Sequence, residues 1–476
     1  MKKLLIFLLV PIFCFGKSLY TFHLDSAGEE FTTPELAGNG ITDIKVGEST
    51  LWLGTGNGLS RTTDFGQTFE TFTPNSGIGR GSVSALWVSG DTIWVATASD
   101  TLTRVSETYL DMGTGLSVST DNGRTWTHYD QPGPTPVQNL SYDIAVHKGS
   151  IYIVSWGGGI RRSDDWGQTW TPVAPDTNEF DPGKYLNHRG FSATSTDQAI
   201  YIGTADGINK STDNGTTWHQ FTHANQANAI SGDFVVALDV QKTTTLERLW
   251  AATWKAEGEE EEYGVSFSDD GGENWIVTLE GEKAHNFAFD DSIAYVATDN
   301  GLFKSVDMGQ TWYVFDQFKD QQSGERIYTQ EIYSAAAANE QLWVGTADGL
   351  AITKNNGYTW QVIRAFQRTG VNDEPRTYAY PNPFSPTRHN QIDSDGFVRF
   401  QFNTLSSTRV TIHIFDFAMD RVTTVVEHEA IPRAGDYTRV WNGKNDYGDM
   451  VANGVYFYSV ELEGDGTYWG KLMILN

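Results

Sequence analysis

Six aspartates and one asparagine recur along the chain, each at the third place of an eight-residue motif of the form Ser/Thr-x-Asp-x-Gly-x-Thr-Trp. They are Asp64, Asp121, Asp165, Asp213, Asp270, Asp307 and Asn355, spaced 37 to 57 residues apart. A repeated carboxylate can transfer protons, bind cations, or accept hydrogen bonds from nearby backbone N–H groups. Asn355 decides among these, because an amide accepts hydrogen bonds as a carboxylate does but brings neither basicity nor charge. The fifth motif, "SDDGGENW", likewise exchanges its second threonine for another hydrogen-bonding residue, Asn274. The aspartates therefore read as structural turn residues. The motif glycine supplies a positive φ, the flanking hydroxyls join the local network, and the terminal Trp or Phe packs between neighbouring units.

A second set of candidates follows the apolar strings that precede each motif, such as "LWLGTGNGL" from Leu51, "IYIGTADGI" from Ile200 and "LWVGTADGL" from Leu342. Aligned on their Thr or Ser, most strings continue with a small residue, but two continue with Trp156 and Trp254. Both rings are expected near the mouth of the assembly as a stacking platform for a sugar or peptide, joined by Tyr185, His188 and Arg189 from an adjoining loop. The competing reading has each tryptophan cover its own turn. The acidic run "EGEEEE" (Glu257 to Glu262) lacks the spaced ligands and turn glycine of a Ca²⁺ loop and reads as solvated. No phosphate loop, histidine-rich metal cluster or nucleophile elbow is present, so no cofactor, metal site or catalytic residue is assigned.

The elements that must position these residues alternate aromatic or aliphatic residues with β-branched ones and close on glycine turns, as strands do. Each unit has a short apolar stretch (for example "ITDIKV" or "FVVALDV"), the string, a strand entering the motif and a strand leaving it. Four short antiparallel strands repeated seven times predict a seven-bladed β-propeller over about 40–366, in which ring closure protects the strand edges. The long insertions 98–115, 175–190, 254–264 and 316–330 all fall on one face, opposite the motif turns. Ligand contact is expected on that variable face.

The motif resembles the Asp-box of bacterial neuraminidase-type repeats, found in sialidases, sortilin-like receptors, xyloglucan hydrolases and photosystem assembly factors. The resemblance implies a shared scaffold and no shared chemistry. A sialidase-like site would need an arginine cluster and an Arg-Ile-Pro signature; the nearest string is "ERIYTQ" from Glu325, without the proline. A xyloglucan-hydrolase-like site needs two facing carboxylates, for which Asp176, Glu179, Asp181, Asp316, Asp320 and Glu325 are all candidates.

After Phe366 the repeat stops. Residues 367–377 read as a polar linker, and 378–476 alternate like the strands of a small β-sandwich of immunoglobulin-like size. "YPNPFSP" (Tyr380 to Pro386), "IHIFD" (Ile412 to Asp416), "WNGKNDYGDMVANGVYFY" (Trp441 to Tyr458) and the terminal "KLMIL" resemble the Ig-like domain shared by flagellar hook-capping proteins and type IX secretion sorting domains. That resemblance implies recognition by outer-membrane secretion machinery, followed by cleavage or surface attachment.

The beginning of the chain fits the same expectation. "MKKLLIFLLVPIFCFG" has the two lysines, short apolar core and small residues of a secretory signal, cut after Gly16, ahead of an N-terminal segment 17–39. Its apolar core is too short to span a bilayer, and no later stretch is apolar for long enough. Cutting there removes Cys14, the only cysteine, and with it any disulfide or thiol chemistry. A formal charge of -27 argues against nucleic-acid partners. The reading is thus an exported or cell-surface binding propeller for an extracellular glycan or protein, not an enzyme, with a secreted glycoside hydrolase as the alternative.

Overall fold

The computed structural model describes residues 36–102, 109–255, 262–367, 369, 375–390, 392 and 395–475. The expected signal, most of the N-terminal segment 17–39, most of the acidic run and most of the linker lie outside them. Between Ile41 and Ile363 the chain forms four-stranded antiparallel sheets over 41–72, 82–129, 143–173, 190–221, 234–278, 284–315 and 332–363, each with its strands in chain order. The second strands are buried along their length, as in Leu51–Thr55, Ser150–Ser155 and Gln341–Thr346. The fourth strands are only three residues long and partly exposed, which keeps each outer edge short.

The first strand of each sheet packs against the first strand of the next, and the seventh sheet returns to the first. Asn39 fastens that seam. Its side chain donates to Ala365 O (3.0 Å) and accepts from Ala365 N (2.7 Å), and its carbonyl accepts from Gly349 N (2.7 Å). At the centre of the ring, Lys45 lies 3.7 Å from Asp43 and is also attracted by Asp239 and Asp143. Burial alone would lower the lysine pKa, but the three carboxylates outweigh it and raise it. The Asp143 carboxyl is pushed up to about 6 by burial, against the pull of Lys45.

In the motif turns the aspartate spends its lone pairs locally. Asp213 Oδ1 accepts from Ser211 Oγ (2.8 Å) and from the N–H groups of Thr216 (3.1 Å) and Thr217 (2.8 Å). Its Oδ2 accepts from Thr217 Oγ1 (2.6 Å), while Ser211 Oγ accepts from Gly215 N (2.7 Å). Asn355 reproduces the pattern, taking the N–H of Thr359 (2.9 Å) and donating to its hydroxyl (2.8 Å). The threonine hydroxyl is the largest influence holding Asp121, Asp165, Asp213 and Asp307 down to about 2.

The motif glycine has a second duty. A Cβ on Gly123, Gly167 or Gly309 would stand 2.6 Å from the ring of Trp52, Trp94 or Trp250, the aromatic of the preceding sheet's second strand. Gly66 meets Trp343 of the seventh sheet in the same way, at 2.8 Å, so the pairing runs across the seam. The residue before the glycine also has positive φ, including Phe65 (56°), Trp166 (58°) and Met308 (59°), where Asn would be the easier occupant.

Residues 377–474 form a three-stranded sheet (Thr377–Tyr380, Val398–Thr404, Gly435–Trp441) and a four-stranded sheet (Thr408–Phe415, Arg421–Ile431, Gly454–Leu462, Gly466–Ile474). Phe400, Phe402, Ile412, Ile414, Tyr458 and Val460 fill the shared core between them.

Candidate functional site

The face opposite the motif turns carries the link between the third and fourth sheets, residues 174–189, which folds around one buried histidine. His188 is 0% exposed. Its Nδ1 accepts the N–H of Asp181 (2.9 Å), so Nε2 bears the hydrogen and donates to Asp176 Oδ1 (3.1 Å). Phe180 stacks on the imidazole at 5.6 Å, and Tyr185 leans on it at 5.1 Å. Arg189 donates to the carbonyls of Pro182 (2.6 Å) and Gly183 (3.1 Å), which places its guanidinium 4.9 Å from the Trp156 ring centre. Asn187, also buried, ties the link to the fourth sheet by accepting from Thr204 Oγ1 (3.1 Å) and Asn209 Nδ2 (2.6 Å).

Four of the five expected ligand residues, Trp156, Tyr185, His188 and Arg189, thus belong to one cluster. Within it His188 is a brace and offers no free nitrogen. Trp254 stands elsewhere. It is 5% exposed, donates from Nε1 to Ala284 O (2.7 Å), lies under Lys283 at 4.3 Å and meets His285 edge-on. Asp299 fixes that covering by pairing with Lys283 (3.1 Å) and His285.

Beside the cluster a cleft of about 390 Å³ opens over the third sheet, between the links that precede and follow it, lined by Gly133, Pro134, Gly157, Arg161, Pro172, Phe180, Asp181 and Pro182. The sequence alone does not single out Arg161. It rises from the strand Gly159–Ser163, its Nε donates to Gly158 O (3.1 Å), and its guanidinium lies 5.7 Å from Phe180. Burial lowers its pKa. Neither Arg161 nor Arg189 forms an ion pair within 4 Å among the described residues, although the Asp181 carboxylate attracts Arg189 from farther away. The only signal in the sequence is the doublet Arg161-Arg162 after a glycine turn. A second cleft, about 520 Å³, adjoins Arg80, Met112, His128 and Gln131 between the first two sheets.

Four of the six candidate carboxylates of the sequence are occupied. Asp176 holds His188, Asp181 accepts from Gly183 N (2.9 Å), Asp320 accepts from the N–H groups of Gln322 and Ser323, and Glu325 is buried at 5% exposure against the C-terminal sheets. One raised carboxyl does lie near the clefts. Burial and the hydrogen-bonded Asp100 opposite push Asp111 up to about 6. Two carboxyls in direct hydrogen bond are closer than the roughly 5 Å or more that separates the acid and its partner in glycoside hydrolases. No group of three or more His, Cys, Asp or Glu residues is placed to hold a metal ion among the described residues, nor is any helix there long and apolar enough to cross a membrane.

No family model matches the chain, and no curated protein matches it. Solved structures do. A GH74 enzyme of Niastella koreensis superposes with a TM-score of 0.52 at 14% identity, covering 93% of this chain and 74% of its own. An ancestral GH74 enzyme gives 0.51 at 14% identity, with 92% of this chain aligned to 62% of that one. The fold is that of a β-propeller. YCF48 from Cyanidioschyzon merolae also matches, with a TM-score of 0.45 at 18% identity over 67% of this chain and 97% of its own. Identities this low show a common scaffold, on which the propeller's own side chains must carry the functional argument.

Proposed function

We propose that the chain is an exported binding protein: a seven-bladed propeller, about residues 40–366, that presents an extracellular glycan- or protein-binding face. An Ig-like sandwich, 378–476, serves as its secretion sorting domain, and residues 1–16 as its signal. One observation carries the binding reading. The link 174–189 is wired through His188 and Asp176 so that the half-buried guanidinium of Arg161, which forms no ion pair among the described residues, lines a cleft, on a chain whose net charge is -27. Such a group retains unspent N–H donors for a ligand. Arg161, Phe180 and Asp181 line this site, and Trp156, Tyr185 and Arg189 belong to the adjoining cluster.

A panel of immobilised polysaccharides and peptides, probed with the wild type and with Arg161→Ala, tests the reading. Binding that the substitution abolishes supports it. Equal binding by both proteins moves the site elsewhere. Glycoside hydrolysis is the alternative, with Asp111, next to the cleft-lining Met112 and raised to about 6, as candidate acid and a partner carboxylate other than Asp100. Polysaccharide products released by the wild type and not by Asp111→Asn would establish it in place of simple binding. Sorting is tested separately in the native host, where a chain lacking 378–476, shown by circular dichroism to keep a folded propeller, should stay in the periplasm; its arrival at the surface would leave the sandwich an ordinary spacer.

A further inference from the structure

A polar linker predicts an independent C-terminal module, yet the structure joins these sheets to the propeller through buried charge. Glu325 and Asp348 lie on the link into the seventh sheet and on its second turn, and Arg364 follows its last strand. From the other side come Arg399 on the strand Val398–Thr404, and Thr438 and Arg439 on Gly435–Trp441. These six residues are no more than 8% exposed.

Their bonds cross the junction in both directions. Arg399 grips Asp348 with two nitrogens, Nε to Oδ1 at 3.0 Å and Nη2 to Oδ2. Glu325 accepts from Thr438 N and Thr438 Oγ1, each at 2.6 Å, and lies 3.6 Å from Arg439. Arg364 spans both propeller carboxylates, reaching Glu325 at 2.5 Å and Asp348 at 3.2 Å. Arg439 is balanced in turn by Glu429. Neither side is neutral by itself. Glu325, Asp348 and Arg364 of the propeller leave an excess negative charge, which the excess positive charge of Arg399, Arg439 and Glu429 in the sandwich cancels. Around this core Tyr328 packs on Phe397 at 4.7 Å and under Arg399 at 5.1 Å, and Gln401 exchanges hydrogen bonds with the backbone of Gln367.

Separation would leave Asp348 and Glu325 without two of their three cations and would strip Arg399 of its carboxylate. Removing one partner from a buried, hydrogen-bonded charge pair is far costlier than breaking an exposed one, and salt screens such pairs little. We infer that the propeller and the C-terminal sheets are one permanent body, so that a cut in the segment between them does not release either domain. The inference is independent of which ligand the propeller binds and of how the chain is exported.

The test places a specific protease site at residues 370–374 of the full chain. After cutting, the two fragments should co-elute in size-exclusion chromatography, in low salt and in high salt alike. Separate elution of the wild-type fragments would overturn the inference. With Arg399→Met, the cut fragments should bind each other on the order of 30-fold or more weakly. The uncut variant must keep its circular dichroism. If it does not, Thr438→Val, which removes only the hydroxyl between Glu325 and Arg399, takes its place and should weaken the fragments about tenfold or more. Fragments of the folded variant that hold together as tightly as the wild type would also refute the role given to the charges.

Discussion

Replacing Gly167 with alanine tests whether the motif glycine is a backbone device or half of a contact between sheets. The residue has a φ of 86°, and a Cβ there would stand 2.6 Å from Cη2 of Trp94, with Tyr129 at 3.5 Å behind it. Trp94 is fully buried and stacked on Tyr129, so it has little room to retreat. The left-handed backbone should cost an alanine about 1–2 kcal/mol, and forcing a methyl into a packed core about 1–3 kcal/mol more. The sum is about 2–5 kcal/mol. Gly149 supplies the control. Its φ is 85°, and nothing lies within 4 Å of a Cβ built on it, so Gly149→Ala carries the backbone cost alone. Urea unfolding of both variants, followed by tryptophan fluorescence and circular dichroism, measures the difference. Gly167→Ala should unfold at clearly lower urea than Gly149→Ala. Equal midpoints would refute the packing argument and leave the glycine a turn residue only.

Other outcomes follow from the same geometry. Ser305→Ala should lower stability by about 1–3 kcal/mol, because Gly309 N loses its acceptor at 2.7 Å in a buried turn; an unchanged melting temperature would show that water replaces it. Trp166→Asn should raise stability by roughly 0.5–1 kcal/mol by relieving a positive φ on an exposed bulky residue. Asp111 has a folded pKa of about 6, above its unfolded value, so the folded state holds the extra proton between roughly pH 4 and 6. Its ionisation thus costs stability as pH rises through 6. The melting temperature of Asp111→Asn should exceed that of the wild type more at pH 7.5 than at pH 4.5, and a pH-independent difference would count against the shift. Lys45→Met should destabilise the ring more at pH 8 than at pH 5, since the raised pKa values of Asp143 and Asp239 let those carboxyls take up protons at the lower pH.

The strand strings, their order and the aspartate's turn bonds were legible because they are local: period-two alternation, glycine turns and hydrogen bonds over two to four residues. The left-handed residue before the glycine was half legible. Asn122, Asn214 and Asn356 announce it, whereas Phe65, Trp166 and Met308 conceal it. What escaped lies between segments. The aromatic that receives each motif glycine is in the preceding repeat, and Lys283, His285 and Asp299, which cover Trp254, are in the following sheet. Arg161 meets Phe180 and Pro134 only after three separate loops converge. The bonds joining the seventh sheet to the C-terminal strands span up to 113 residues, as from Glu325 to Thr438, and an arginine inside a strand string looks like any solvated surface residue until its partner is known.

The pairing of glycine with the preceding aromatic also bears on how such a ring is assembled over evolutionary time. In most of the sheets a unit bears both halves of the contact, a large ring on its second strand for the unit that follows and an open glycine for the unit before, as Trp52 with Gly66 and Trp94 with Gly123. A copied unit therefore fits after its own parent and before its parent's neighbour without further change. Duplication can lengthen the chain one unit at a time, and divergence of the loops on the opposite face leaves this joint untouched. The seam between the last and first units uses the same joint, through Trp343 and Gly66, so closure asks for no specialised ending beyond the clasp of Asn39.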